Sequence, residues 1–206
     1  MGRHFASIAF TEAVRAEQDA IGSRAGYARI EEGGAEDSRL GVREAAYLAA
    51  ARTLFIASVN AAGWPYIQHR GGPAGFVQVI EGGAALAFAD LAGNRQHVTL
   101  GNLQGEDRVS LIVPDYLERR RLKLFGRARR VTRAEDAPLV EHLAEAAGAP
   151  AGRALVVRIA GFDWNCPQHI PRLVPEEMVA AALGKAAQRI AALEAERAAR
   201  DAVAAR

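Results

Sequence analysis

The 206 residues are half apolar and about a quarter charged, with 26 Lys and Arg against 24 Asp and Glu for a formal net charge of +2. That length suits one domain with a full core and terminal extensions, and two independent domains would be cramped. So balanced a charge gives no global field toward nucleic acid or a membrane surface, and no run approaches the roughly 18 consecutive apolar residues of a membrane span.

The opening residues, Met1 to Phe10, lack the apolar core of a signal peptide. Cys166 is the only cysteine, which excludes an intrachain disulfide framework and an all-cysteine metal site and fits a reducing compartment. A soluble, cytoplasmic protein with no membrane and no nucleic-acid partner is the expectation.

Residues 1–51 are predicted to form a helical N-terminal arm. Thr11 caps a helix whose positions Val14, Gln18 and Ile21 recur at helical spacing until Gly22-Ser23 stops it. Glu31 to Ser38 reads as a loop. Asp37 or Ser38 then opens a second helix, roughly Val42 to Ala51, with Tyr47 and Leu48 as its large apolar contacts.

From Arg52 the period changes to that of strands, and residues 52–172 are predicted to form a β domain. Thr53 to Val59 and Trp64 to His69 form a hairpin across the Asn60-Ala-Ala-Gly63 turn. Phe76 to Ile80 and Ala84 to Ala89 form another across Glu81-Gly82-Gly83. Val109 to Val113, Arg121 to Val131 with a bulge or bend at Gly126, and Ala154 to Phe162 complete the strands, and Ala134 to Ala147 is a helix between the last two. Six or seven short antiparallel strands with helices at the corners predict a mainly β protein with peripheral helices, built as a small closed or partly split barrel. No βαβ repetition or dinucleotide glycine fingerprint is present. Residues 173–206 are predicted to be a C-terminal helix opening at Pro175, with Val179, Leu183, Ala186, Ile190 and Leu193 in a heptad-like stripe and a tail beyond Glu196 that frays.

Three polar clusters fall at strand ends or in loops. After Phe88-Ala89-Asp90, the chain turns at Gly93 into a segment expected to open a short helix at Asn94. Outward N–H groups, a helix dipole and the guanidinium of Arg95 there suit a phosphate, with Thr99 and Asn102 further along the helix. Gln68-His69-Arg70-Gly71-Gly72-Pro73 joins hydrogen-bonding side chains to a glycine pair that admits a flat ligand. Trp164-Asn165-Cys166-Pro167-Gln168-His169 crowds an aromatic, two amides and a histidine between prolines.

Together with the Arg121-Leu-Lys123-Leu-Phe-Gly126 strand, these motifs resemble the pyridoxamine 5′-phosphate oxidase-related, FMN-binding split-barrel proteins, within a bacterial branch bearing the Gln-His-Arg-Gly-Gly-Pro and Trp-Asn-Cys-Pro-Gln-His motifs. The resemblance runs from about Phe10 to Arg172. It implies a homodimer with FMN in grooves between the subunits, and an FMN-dependent oxidoreductase acting on a small molecule. It also implies cofactor contacts from Gln68, His69, Arg70, Asn94, Arg95, Thr99, Asn102, Arg121 and Lys123, and from Trp164, Asn165, Gln168 and His169, which would reach the flavin of the opposite subunit. No metal ligand and no particular catalytic residue is implied. Authentic pyridoxamine 5′-phosphate oxidases carry a late Arg-x-His pair that grips the vitamin's phosphate; Gln168-His169-Ile170-Pro171-Arg172 stands here instead, which argues against vitamin oxidation. A non-catalytic flavin- or haem-binding module is the alternative. Nucleic-acid binding through the Arg119 to Arg133 strand is disfavoured because no aromatic residues interleave the charges.

Overall fold

The computed structural model describes residues 1–164 and 168–204. They form two compact units, one comprising residues 1–115 and 120–164, the other 116–119 and 168–204.

The first unit holds a single sheet of seven strands: β1 (Thr53–Val59), β2 (Pro65–Gly71), β3 (Gln78–Ile80), β4 (Ala85–Ala89), β5 (Arg108–Asp115), β6 (Arg120–Thr132) and β7 (Arg153–Trp164). Their order is β2-β1-β5-β6-β7-β4-β3, every ladder antiparallel, so β2 and β3 remain edges and the sheet is split, not closed. The mainly β expectation holds, with seven strands. The bulge expected at Gly126 is present as a register shift between Phe125 and Gly126.

Alternation sets the core. Leu54 and Ile56 of β1, Val109, Leu111 and Val113 of β5, and Leu122 and Leu124 of β6 point inward and are buried. Each such side chain contributes about 1.5–3 kcal/mol of burial. All five residues of β4 are buried, because α6 (Ala137–Ala147) lies against this strand. The helix buries Val140, Leu143, Ala144 and Ala147 at helical spacing, is capped by Asp136 accepting from the Leu139 N–H at 3.0 Å, and ends at Gly148 with φ 66°. The strand expected from Phe76 is shorter, Gln78–Ile80; Phe76 and Val77 are buried ahead of it.

The N-terminal helices are more numerous than the periodicity indicates. The Thr11-capped helix is present as α2 (Glu12–Ala20), and the later one as α4 (Val42–Ala50), with Leu48 fully buried. Two further helices, α1 (Arg3–Ala9) and α3 (Arg24–Gly33), were not expected. The last turn of α3 replaces the start of the Glu31–Ser38 loop, where Glu31 pairs with Arg15 and Arg24. Asp37 does not open α4. It caps α1 instead, accepting from the His4 and Phe5 N–H groups at 2.8 Å each, a contact 32 or 33 residues away in sequence. The α4 N-terminus is served by Glu44, which accepts from the Gly41 N–H at 3.0 Å. Phe5 stacks on Phe125 with centroids 4.7 Å apart, and the backbone of α1 lies so close to Gly161 of β7 that a Cβ there would sit 2.6 Å from the Phe5 nitrogen.

Glu36, exposed beside Asp37, is held at a pKa of about 2 by hydrogen bonds from the Ser38 side chain and backbone N–H and from His4. Its ordinary value is 4.5, so its contribution to stability is complete above about pH 4.5 and disappears as the pH falls toward 2. The difference in melting temperature between wild type and Glu36→Gln is therefore expected to be present at pH 5 and to close as the pH falls toward 2. Thermal melts in a pH series check this.

In the second unit, α7 spans Glu176–Ala204, with the Pro175 carbonyl accepting from the Met178 and Val179 N–H groups. The helix begins one residue after the expected Pro175 and continues past Glu196 to Ala204 without fraying. The apolar stripe on it is exposed, from 44% at Val179 to 66% at Leu183. Among the described residues no helix is long and apolar enough to cross a membrane.

Candidate functional site

A cleft of about 170 Å³ opens in the first unit between β2 and the segment that follows β4. The pleat of β2 alternates side chains, so Tyr66, Gln68 and Arg70 turn into the cleft while Ile67 and His69 take the other face. The opposite wall is Asp90 followed by Gly93 to Leu100. This wall is not the helix expected at Asn94. Arg95 (φ 60°) and His97 (φ 54°) adopt left-handed conformations that a continuous helix excludes, and α5 (Val98–Asn102) starts four residues later. Asn94 instead forms a local turn, accepting from the Gln96 N–H at 3.2 Å.

The floor of the cleft is electrostatic. Asp90 is almost fully buried, with one carboxylate oxygen 3.1 Å from Arg70 Nη1 and the other accepting from Arg153 Nε at 2.7 Å. Arg153 Nη2 also lies 3.1 Å from His97 Nδ1. Two guanidinium groups thus share one carboxylate, and Arg95 adds a further cation to the wall. The local balance is positive, which favours an anion. Two of the lining residues also carry a buried polar atom with no hydrogen-bond partner among the described residues, Arg70 Nε and Thr99 Oγ1, and Thr99 is only 3% exposed. Both can donate. Buried polar groups are nearly always satisfied, so two donors left without acceptors beside the cleft favour a ligand rich in acceptor atoms.

Of the expected contacts, Gln68, Arg70, Asn94, Arg95 and Thr99 meet in this cleft. A second depression shares Gln68, Arg70, Leu91 and Gly93 with it and adds His69 and Gly71. His69 is also engaged with Thr53, Nε2 to Oγ1 at 2.6 Å, and packs edge-on against Phe55. Asn102 does not join the cleft: its Nδ2 donates to Ser58 Oγ at 2.9 Å, tying α5 to β1. Thr99 reaches the cleft from α5 itself, not from a helix shared with Arg95.

Arg121 and Lys123 do alternate with buried Leu122 and Leu124, as expected, but neither lines this cleft. Lys123 pairs with buried Asp163 at 3.0 Å and sits over the Phe5 ring. Trp164 is tied to α4: its Nε1 donates to Glu44 Oε1 at 2.8 Å, Arg43 stacks over the indole, and Tyr47 meets it edge-on. The Tyr47 hydroxyl donates to the Val113 carbonyl at 2.8 Å, and burial raises its pKa above the ordinary tyrosine range. Gln168 and His169 belong to the second unit, in an exposed turn where His169 has φ 61°. Asn165 lies outside the described residues.

Sequence reasoning missed Asp90 and Arg153 as parts of the site. A carboxylate placed directly after five apolar residues is one that folding buries, and a buried carboxylate requires a cation. Arg153, which opens the strand paired with β4, is the cation the sheet register supplies.

A split antiparallel sheet with a cationic cleft at the end of one hairpin is thus the class of protein that fold and site define. Residues 43–178 match the family model described as Pyridoxamine 5′-phosphate oxidase, and the chain belongs to that family. No curated protein matches it in sequence. Among solved structures, it is similar in fold to HupZ of Group A Streptococcus, with a TM-score of 0.50 and 10% identity over 66% of this chain and 99% of that one. Weaker likenesses include a Clostridium acetobutylicum protein related to general stress protein 26 of B. subtilis (pyridoxinephosphate oxidase family), with a TM-score of 0.42, 13% identity and coverage of 64% and 90%. A FAD-binding protein of Mesorhizobium loti gives a TM-score of 0.40 and 14% identity over 61% of this chain and 94% of that one.

Proposed function

We propose that this protein is an FMN-binding flavoprotein, an FMN-dependent oxidoreductase acting on a small molecule, which works as a cytoplasmic homodimer. The observation that carries the cofactor assignment is the positive balance of a cleft lined by Arg70, Arg95 and Thr99, with two buried donors beside it, Thr99 Oγ1 and Arg70 Nε, left without acceptors. Phosphate oxygens only accept hydrogen bonds, and a dianion answers both the free donors and the surplus charge. The residues present therefore fit an FMN phosphate held by Arg95, Arg70 and Thr99, with Asn94 alongside. Gln68, which lines both the cleft and the adjoining depression, is the side chain that would meet the hydrogen-bonding edge of the flat ring.

FMN supplies hydride and electron transfer when bound. Arg70, Arg95 and Thr99 would hold the phosphate end. Tyr66, whose hydroxyl donates to Gln68 Oε1, sets the orientation of that amide, whose Nε2 donates one N–H to the His69 carbonyl at 3.3 Å and keeps its second. Family membership supports an oxidoreductase role, and the late Arg-x-His pair replaced by Gln168-His169-Ile170-Pro171-Arg172 argues for a substrate other than the vitamin phosphate.

Purified protein titrated with FMN is expected to show flavin absorption on the protein and to be stabilised by about 2.7 kcal/mol at a free concentration of 100 times Kd. Colourless protein with no thermal shift in excess FMN would overturn the assignment. Anaerobic stopped-flow mixing of the FMN-loaded protein with nicotinamide nucleotides, followed by oxygen, then separates a turning-over enzyme from a storage or sensing module.

A further inference from the structure

We infer that Asp90 is a positioning residue for the anion-binding end of the cleft, acting through Arg70 on one side and through Arg153 and His97 on the other. The inference rests on the FMN reading and extends it to a residue that touches no ligand atom in its proposed role. The four side chains come from four separate places: Arg70 near the end of β2, Asp90 just past β4, Arg153 at the start of β7, and His97 at the entry to α5. Asp90 is the node that joins them. It takes Arg70 Nη1 with one oxygen and Arg153 Nε with the other, while its own N–H donates to the Arg153 carbonyl at 3.0 Å. Arg153 then spans to His97 Nδ1 at 3.1 Å.

Two consequences follow from that geometry. Arg70 is gripped by its Nη1, so the guanidinium is fixed at the wall of the cleft instead of swinging to solvent as a long side chain ordinarily does. His97 is held in a left-handed conformation that β-carbon sterics disfavour, and the Arg153 contact is what pins it there; Arg95, also left-handed, lies two residues before it. Asp90 therefore fixes both walls of the anion site at once, at the expense of placing a negative charge beside it.

That expense makes the inference testable by sign. If Asp90 acted on the ligand only through its charge, removing the charge would tighten anion binding. If it positions Arg70 and the Gly93–His97 wall, removing the charge weakens binding in spite of the more positive cleft.

The experiment compares FMN with riboflavin, which lacks the phosphate, on wild type and on Asp90→Asn. The positioning role predicts that D90N weakens FMN binding about tenfold while shifting riboflavin affinity by less than about threefold, since a charge-assisted hydrogen bond is lost at the phosphate end alone. Unchanged or tighter FMN binding in D90N would overturn it, as would an equal loss of both ligands, which is the result of general loosening. Should D90N fail to fold, Arg153→Lys serves: it keeps the charge but its ammonium cannot bridge Asp90 and His97 together, and it is expected to weaken FMN and spare riboflavin in the same way, equal effects again overturning the inference. Wild-type protein that binds no FMN defeats the cofactor reading itself, and the role of Asp90 with it. Wild-type protein that binds FMN with D90N indistinguishable from it defeats only the positioning role.

Discussion

Replacing Arg95 by alanine is expected to weaken FMN binding about 100-fold, the upper range for losing a charge-assisted contact of a planar guanidinium with a phosphate. The position allows a control that separates ligand binding from folding. Arg95 has φ 60°, a conformation that costs a side-chain-bearing residue about 1 kcal/mol and a glycine almost nothing. Arg95→Gly should therefore melt no lower than Arg95→Ala, and yet lose FMN to the same extent. Isothermal titration with FMN, paired with thermal melts of the ligand-free proteins, gives both readings. Retention of FMN by both variants would remove Arg95 from the site and leave Arg70 and Thr99 as its anchors.

The largest effect on stability is expected at Gly83, where alanine should cost about 3 kcal/mol or more. Two separate penalties meet there. The residue has φ 92°, outside the conformations open to side-chain-bearing residues, and a Cβ would stand 2.2 Å from the Leu40 carbonyl oxygen, which is backbone and cannot turn aside. The Leu40 N–H in turn donates to the Gly83 carbonyl at 2.8 Å, so the same approach fastens the segment ahead of α4 to the turn between β3 and β4. That turn delivers β4, and β4 delivers Asp90. Urea unfolding of Gly83→Ala is expected to show a lowered midpoint, with FMN affinity reduced in the fraction that remains folded. An unfolding free energy within about 1 kcal/mol of wild type would mean that the turn relaxes away from Leu40.

Much of this fold was legible before any coordinates, and the legible parts have a common cause. Thr53–Val59, Ala85–Ala89, the Gly126 bulge, the Thr11 cap of α2 and the Asp136 and Gly148 ends of α6 are all specified by residues within a few positions of one another. Period-two and period-3.6 patterns, caps and turn glycines act locally and can be read locally. The helix α1 could not be read in that way. Seven residues with no cap of their own are held by Asp37 and by stacking of Phe5 on Phe125, contacts that exist only once distant segments have met.

The site divides along the same line. By itself the sequence determined which segments carry the polar chemistry, since Gln68 to Arg70 and Asn94 to Thr99 stand out as polar residues at the ends of apolar strands. Only the tertiary structure decided that the wall at Arg95 is a left-handed loop instead of a helix start, and that Asn102, Trp164 and Lys123 spend their polar atoms on Ser58, Glu44 and Asp163. It also decided that Asp90, which lines the cleft, is paired with an arginine 63 residues away, Arg153. The physical reason is that a side chain's donors go to whichever partner the sheet register brings within about 3 Å, and register is a property of paired strands that neither strand encodes alone.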